Sequence, residues 1–188
     1  MLIVGLGQAG CNIATLFKQH DQYQVELLDE GKGIKKYATA EDYDSINYKP
    51  RKKGLKSASE GILFVCGSGK VAGATLRVLE GLKHVRMTVV YICPDLEYAS
   101  RNEKLRHRAH FNILQQYTRS GLIEEMMLMD NKILLDIAGH GTIYKYYEKV
   151  NFYIYSTIHT LNYCANVKPE FSSVHTPKKI SRITTLGF

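Results

Sequence analysis

Two glycine clusters constrain this chain more than any other feature: Gly5-Leu6-Gly7-Gln8-Ala9-Gly10 and Cys66-Gly67-Ser68-Gly69-Lys70-Val71-Ala72-Gly73. Each sits between an apolar run and a helical pattern. Leu2-Ile3-Val4 leads into the first, and Ile13, Leu16 and Phe17 follow it at helical spacing. Gly61-Ile62-Leu63-Phe64-Val65-Cys66 leads into the second, with Ala72, Leu76, Leu79 and Leu82 beyond it. Short apolar runs closed by glycine read as strands buried on both faces. Strands joined through helices lie parallel, so the predicted fold class is α/β, a Rossmann-like parallel sheet with helices on both faces.

The pattern continues. Val85 to Cys93 is a further strand closed by Pro94, followed by a helix from about Ser100 to Thr118 with Leu105, Phe111, Ile113 and Leu114 predicted inward. Met126-Met127-Leu128-Met129 is another strand, ended by Asp130-Asn131 before a short helix, Ile133 to Ile137. A long helix is expected over about Ile143 to Ala165, with Val150, Ile154, Ile158 and Leu161 on its apolar stripe. Its outer positions carry Tyr146, Tyr147, Tyr153 and Tyr155, which predicts enclosure on more than one side. The stretch after Asp29-Glu30, to about Ser59, is the least structured by composition, and the tail ends in a β-like run, Ile180 to Leu186.

At 188 residues the chain is long enough for a single core without staples. Its 45% hydrophobic and 23% charged residues are the balance of a soluble globular protein, and no segment reaches the length of a membrane span. Met1 to Gly10 lacks a basic leader and reads as a strand, not a signal peptide. Cys11, Cys66, Cys93 and Cys164 form no CxxC pair, which fits a reducing cytoplasm better than a zinc or disulfide framework. The net charge of +7 favours anionic partners, and much of it lies in the run from Lys49 to Lys56, a candidate contact for an acidic partner. Without aromatic interleaving, that run reads as a solvated loop before it reads as a nucleic-acid patch. His107 and His110, with Arg106 and Arg108, are expected on a solvated helix face, since their spacing lacks a third metal ligand.

The first cluster fits GxGxxG between strand and helix, where glycine lets the backbone approach phosphates and the helix start supplies N–H donors. Asp29, about 20 residues on, stands where a Rossmann domain binds a ribose hydroxyl, which keeps an NAD- or FAD-dependent oxidoreductase open. The second cluster changes that balance, because it would place another phosphate cradle on the same edge of the sheet. It is not a Walker A loop, for no Ser or Thr follows Lys70.

With both clusters in view, the chain resembles the tubulin and FtsZ superfamily. Gly7-Gln8-Ala9-Gly10-Cys11-Asn12-Ile13 is similar to the first nucleotide loop of tubulins, which implies contacts from Gly7, Gln8, Ala9 and Asn12. Gly67-Ser68-Gly69-Lys70-Val71-Ala72-Gly73 is similar to the signature GGGTG(S/T)G, with both threonines lost and Val71 in place of a glycine. The resemblance implies phosphate contacts from Gly67, Ser68, Gly69, Lys70 and Val71. Asp130-Asn131-Lys132-Ile133-Leu134-Leu135-Asp136-Ile137 resembles DNEAIYDI and sets Asn131 against guanine; Val150-Asn151-Phe152-Tyr153-Ile154 resembles the core-helix stretch whose asparagine, here Asn151, reads the same base. An amide both donates and accepts, which suits guanine's adjacent carbonyl and N–H. Glu97 falls at the ribose loop. Asn166-Val167-Lys168-Pro169-Glu170-Phe171 resembles a shortened NVDxxEF, leaving Glu170 as the acid that acts in trans on a neighbour's nucleotide.

The resemblance implies GTP or GDP as ligand, with Mg as a candidate companion, and head-to-tail assembly into a filament or other homo-oligomer with GTP hydrolysis at the interface. It divides the chain into a nucleotide-binding domain, 1–142, a core helix, 143–165, and a segment, 166–188, where the family's second domain would begin. The compact form suits a phage or plasmid protein, cytoplasmic in a bacterial or phage-infected cell. A structural, virion-type subunit of the same fold without hydrolysis is the alternative.

Overall fold

The computed structural model describes residues 1–34, 46, 48, 49, 58–138, 143–167 and 181–186. Seven parallel strands form one sheet: β1 (Leu2–Leu6), β2 (Gln24–Glu30), β3 (Gly33–Ile34), β4 (Glu60–Cys66), β5 (Arg86–Cys93), β6 (Glu125–Asp130) and β7 (Ile183–Leu186), in the order β3-β2-β1-β4-β5-β6-β7. The central pairings hold Leu6 against Leu28 on one side and Val65 on the other. Among the described residues five α-helices connect the strands: α1 (Gly7–Leu16), α2 (Thr75–Gly81), α3 (Arg101–Ser120), α4 (Asn131–Ala138) and α5 (Ile143–Asn166). The α/β, Rossmann-like class expected from the sequence is the one observed.

Side chains of a strand alternate between faces, so the sheet divides its apolar residues into two cores. One joins Leu2, Val4 and Leu6 of β1 to Val78 and Leu82 near α2 and Leu114 of α3. The other joins Ile3, Phe64 and Ile92 to Ile13 and Phe17 of α1 with its flanking turn, Leu134 of α4, and Val150, Ile154 and Ile158 of α5. Helices α2 and α3 therefore cover one face, and α1, α4 and α5 the other. At the far end of α1 a polar-aromatic knot ties in α5: His20 stacks on His159 with centroids 4.2 Å apart, and Tyr23 Oη lies 2.8 Å from His159 Nδ1.

Two helices depart from expectation. Leu105 and Ile113 of α3 are exposed, 55% and 37%, while Phe111 and Leu114 face the sheet. The buried stripe runs through His107, His110, Phe111, Leu114 and Thr118, and Ile113 lies about 100° off it, one residue's turn of an α-helix. On α5, Val150, Ile154 and Ile158 are buried as predicted, whereas Leu161, predicted on the same stripe, is exposed; of the four outer tyrosines Tyr155 is buried, Tyr146 and Tyr153 are half-buried and Tyr147 is exposed, as are Phe152 and Tyr163 on that helix. The β-like run of the tail is β7, which pairs with β6 from Met126↔Ile183 to Met129↔Leu186.

Candidate functional site

From β1 the chain proceeds to β2 and β3 on one side, and β4 with the later strands lies on the other, so the direction of winding reverses between β1 and β4. A crevice opens beyond the carboxyl ends of strands at such a reversal, where doubly wound sheets take their ligands. Both glycine clusters stand there, one after each strand.

The first turn is shaped by three glycines with different duties. Gly7 takes φ +74°, a left-handed conformation that strains any other residue, and so lets β1 pass directly into α1. A Cβ on Gly10 would overlap the Phe64 carbonyl oxygen, and one on Gly5 would overlap the Gly10 carbonyl. Their absence draws the start of α1 down onto β1 and β4. A Cβ on Gly7 would stand 3.3 Å from Val71 Cγ2, so the two turns abut at that point.

The start of α1 has no side-chain cap and no acidic residue in its first turn. Its leading N–H groups and the positive end of its dipole are therefore left for something other than the chain's own caps. Gln8 and Asn12, one turn apart, are both exposed, and Ala9 between them is half-buried. In the second turn Gly67 N–H donates to Ile92 O at 3.1 Å, Gly69 N–H to Cys66 O at 3.0 Å and Ala72 N–H to Gly69 O at 3.1 Å. The Ser68 N–H donates to no described residue, and the Ser68 hydroxyl lies 3.6 Å from Cys66 Sγ. Lys70 is exposed, whereas the Val71 side chain is buried in the core and can offer a ligand only its backbone.

The remaining candidates lie on the neighbouring elements of the same edge. Asp130 ends β6 and its carboxylate accepts the Lys132 N–H at 2.8 Å, so Asp130 caps α4. That leaves Asn131, the first residue of α4, half-buried and with no side-chain hydrogen bond to any described residue. Asn151 is half-buried on α5 beside Val150, which shares a core with Leu134 one turn into α4. Glu97, in the loop after β5, pairs with Lys132 Nζ at 3.7 Å, an exposed ion pair that ties this loop to the start of α4. Glu170 lies outside the described residues, as do residues 50–56 of the basic run.

Beneath the second turn the structure places residues that the sequence pattern assigned to solvent. Tyr91 is fully buried on β5, with its hydroxyl 2.9 Å from His107 Nδ1. His110 Nδ1 lies 3.1 Å from the Gly67 carbonyl oxygen. Burial holds both imidazoles below their ordinary pKa, reinforced for His107 by His110 and Arg108 and for His110 by Arg106. Burial, with Asp130 and Cys66 nearby, pushes the Cys93 thiol up to about 12, so it is an inert neighbour of the site. The clue available in the sequence was the three-residue spacing of the histidines, which is the spacing of one helix face; only the buried tyrosine reveals which way that face points.

The chain is a doubly wound α/β domain with paired glycine turns at its switch point. Among solved structures the chain is similar to CetZ from Methanosaeta thermophila, with a TM-score of 0.59 at 13% identity. That likeness, which is one of fold, covers 91% of this chain and 57% of the CetZ chain. No family profile and no curated protein matches the sequence. Among the described residues no helix is long and apolar enough to cross a membrane, and no group of three metal-ligating side chains occurs.

Proposed function

We propose that the chain binds a guanine nucleotide, GTP or GDP, across the two glycine turns and assembles head to tail with copies of itself. The observation that carries this reading is the contact of the two turns at the switch point, with the start of α1 uncapped above it. Backbone amides of Gly7, Gln8, Ala9 and Ser68 would hold the phosphates, with Gly67, Gly69 and Val71 shaping the second turn around them and Lys70 neutralising charge. Gln8 and Asn12 would add side-chain contacts, Glu97 would take the ribose, and Asn131 and Asn151 would close on the base. The residues fit such a ligand: a tail of phosphates meets N–H donors and no carboxylate in the first turn of α1 or α2. By the same token Mg would be held chiefly through the phosphates, since no acidic cluster is present among the described residues.

When bound, GTP supplies a γ-phosphate that water can attack. The chain's part in that reaction falls to Glu170, which would act in trans and orient the water by position and charge. Head-to-tail contact is heterologous and propagates into a filament or closes into a ring. A second reading, a tubulin-like structural or virion-type subunit without hydrolysis, draws support from the second turn. There the Gly69 and Ala72 amides are already engaged within the loop.

Thermal unfolding with added GTP, GDP, ATP or NAD separates these readings, because a ligand at about 100 times its Kd adds roughly 2.7 kcal/mol to stability. Protection by GTP and GDP alone is expected. Protection by NAD alone would instead make the chain an oxidoreductase-type Rossmann domain, and protection by none would leave the structural subunit. Phosphate release on assembly, lost in Glu170→Ala with binding intact, is the expected signature of hydrolysis.

A further inference from the structure

We infer that His110, backed by the Tyr91–His107 pair, is a positioning residue that aims an amide of the second glycine turn at the ligand, a role that rests on the nucleotide reading above. A carbonyl oxygen only accepts, so the 3.1 Å contact between His110 Nδ1 and Gly67 O makes Nδ1–H the donor. The Gly67 N–H is held in turn by Ile92 O on β5. Both backbone groups of Gly67 are therefore fixed, one by β5 and the other by α3.

The peptide between Gly67 and Ser68 is trans and planar, so its C=O and N–H point in opposite directions. With the carbonyl held toward α3, the Ser68 N–H is turned away from α3, toward the face of the sheet that carries α1. That amide donates to no described residue. The helix is kept at the right depth by a wall of rings: Tyr91 and His107 centroids are 5.8 Å apart, and Phe111 lies 5.8 Å from Tyr91 and 5.9 Å from His107. A Cβ on Gly67 would overlap the Tyr91 hydroxyl, so the fit leaves room for glycine only. Both imidazoles are half-buried and desolvation lowers their pKa, which favours the uncharged ring, so the clasp works through donor geometry and not through charge.

The experiment is a titration of a fluorescent GDP analogue against His110 variants. His110→Leu removes the donor and is expected to bind about 10- to 100-fold more weakly, the range of one amide-to-phosphate hydrogen bond. His110→Asn places an amide N–H near the Nδ1 position and is expected to restore most of the affinity, while His110→Gln, whose donor sits too far out, is not. Equal affinities for Asn and Gln variants, or for Leu and wild type, overturn the proposal. So does ¹⁵N NMR of the ligand-free wild type if it finds the His110 proton on Nε2, because that tautomer cannot donate through Nδ1. A wild type that binds neither GDP nor GTP overturns the nucleotide reading, and the positioning role with it; the tautomer measurement then decides separately whether the clasp itself exists.

Discussion

The starts of α1 and α3 follow the same kind of junction, a strand leaving the carboxyl edge of one sheet, yet their ends are finished in opposite ways. At α3, Ser100 Oγ accepts the Glu103 N–H and the Glu103 carboxylate accepts the Ser100 N–H at 2.8 Å, a complete capping box. Those bonds hold the Glu103 carboxyl below its ordinary pKa. At α1 there is no side-chain cap and no acid, only Gly7 in a left-handed turn pressed against Val71. At the start of α3 the chain's own side chains engage two amides, those of Ser100 and Glu103. Helix α1 leaves its leading amides without a side-chain cap at the carboxyl edge of the sheet, beside the switch point.

The largest effect that would sharpen this contrast comes from Gly10→Ala. The added methyl meets backbone at Phe64, which cannot swing aside, and a loss of about 3 kcal/mol is expected in urea unfolding. If the midpoint barely moves, the tight seating of α1 on β4 is wrong. Gly7→Ala follows, at about 1–2 kcal/mol for a left-handed alanine, and it should also abolish the thermal shift produced by GDP.

Ser100→Ala is the control at the other helix. It should cost about 1 kcal/mol of stability and leave the GDP-induced shift unchanged, since the box serves only α3. A Ser100→Ala chain that loses nucleotide binding would erase the distinction between the two helix starts. The smallest expected effect is on pH dependence. With folded-state pKa values depressed at His107 and His110, the unfolded chain takes up protons first as pH falls below about 6.5. Stability is therefore full above that value and declines toward the depressed ones. The decline should flatten in His107→Asn/His110→Asn, while Ser100→Ala keeps it, as read by thermal midpoints across the acid range.

Much of the fold could be read from particular residues. Leu2-Ile3-Val4 and Gly61 to Cys66 became adjacent central strands, and the glycines after each became turns at one edge. Asn131 was legible as the residue after a strand, yet its freedom was not, because that depends on Asp130 taking the cap. Leu105 and Ile113 misled for a related reason: an apolar side chain reports a preference for burial, while the available contact on α3 is only one narrow stripe wide.

What the sequence determined by itself is local: which runs are strands and where glycine must turn the chain. These follow from backbone sterics and periodicity, which act over a few residues. The tertiary structure alone decided that β7 joins the sheet beside β6, that Gly7 meets Val71, that His107 meets the buried Tyr91 and that His110 meets the Gly67 carbonyl. Such contacts join positions far apart in the chain, and they are chosen by how two cores fill on either side of one sheet.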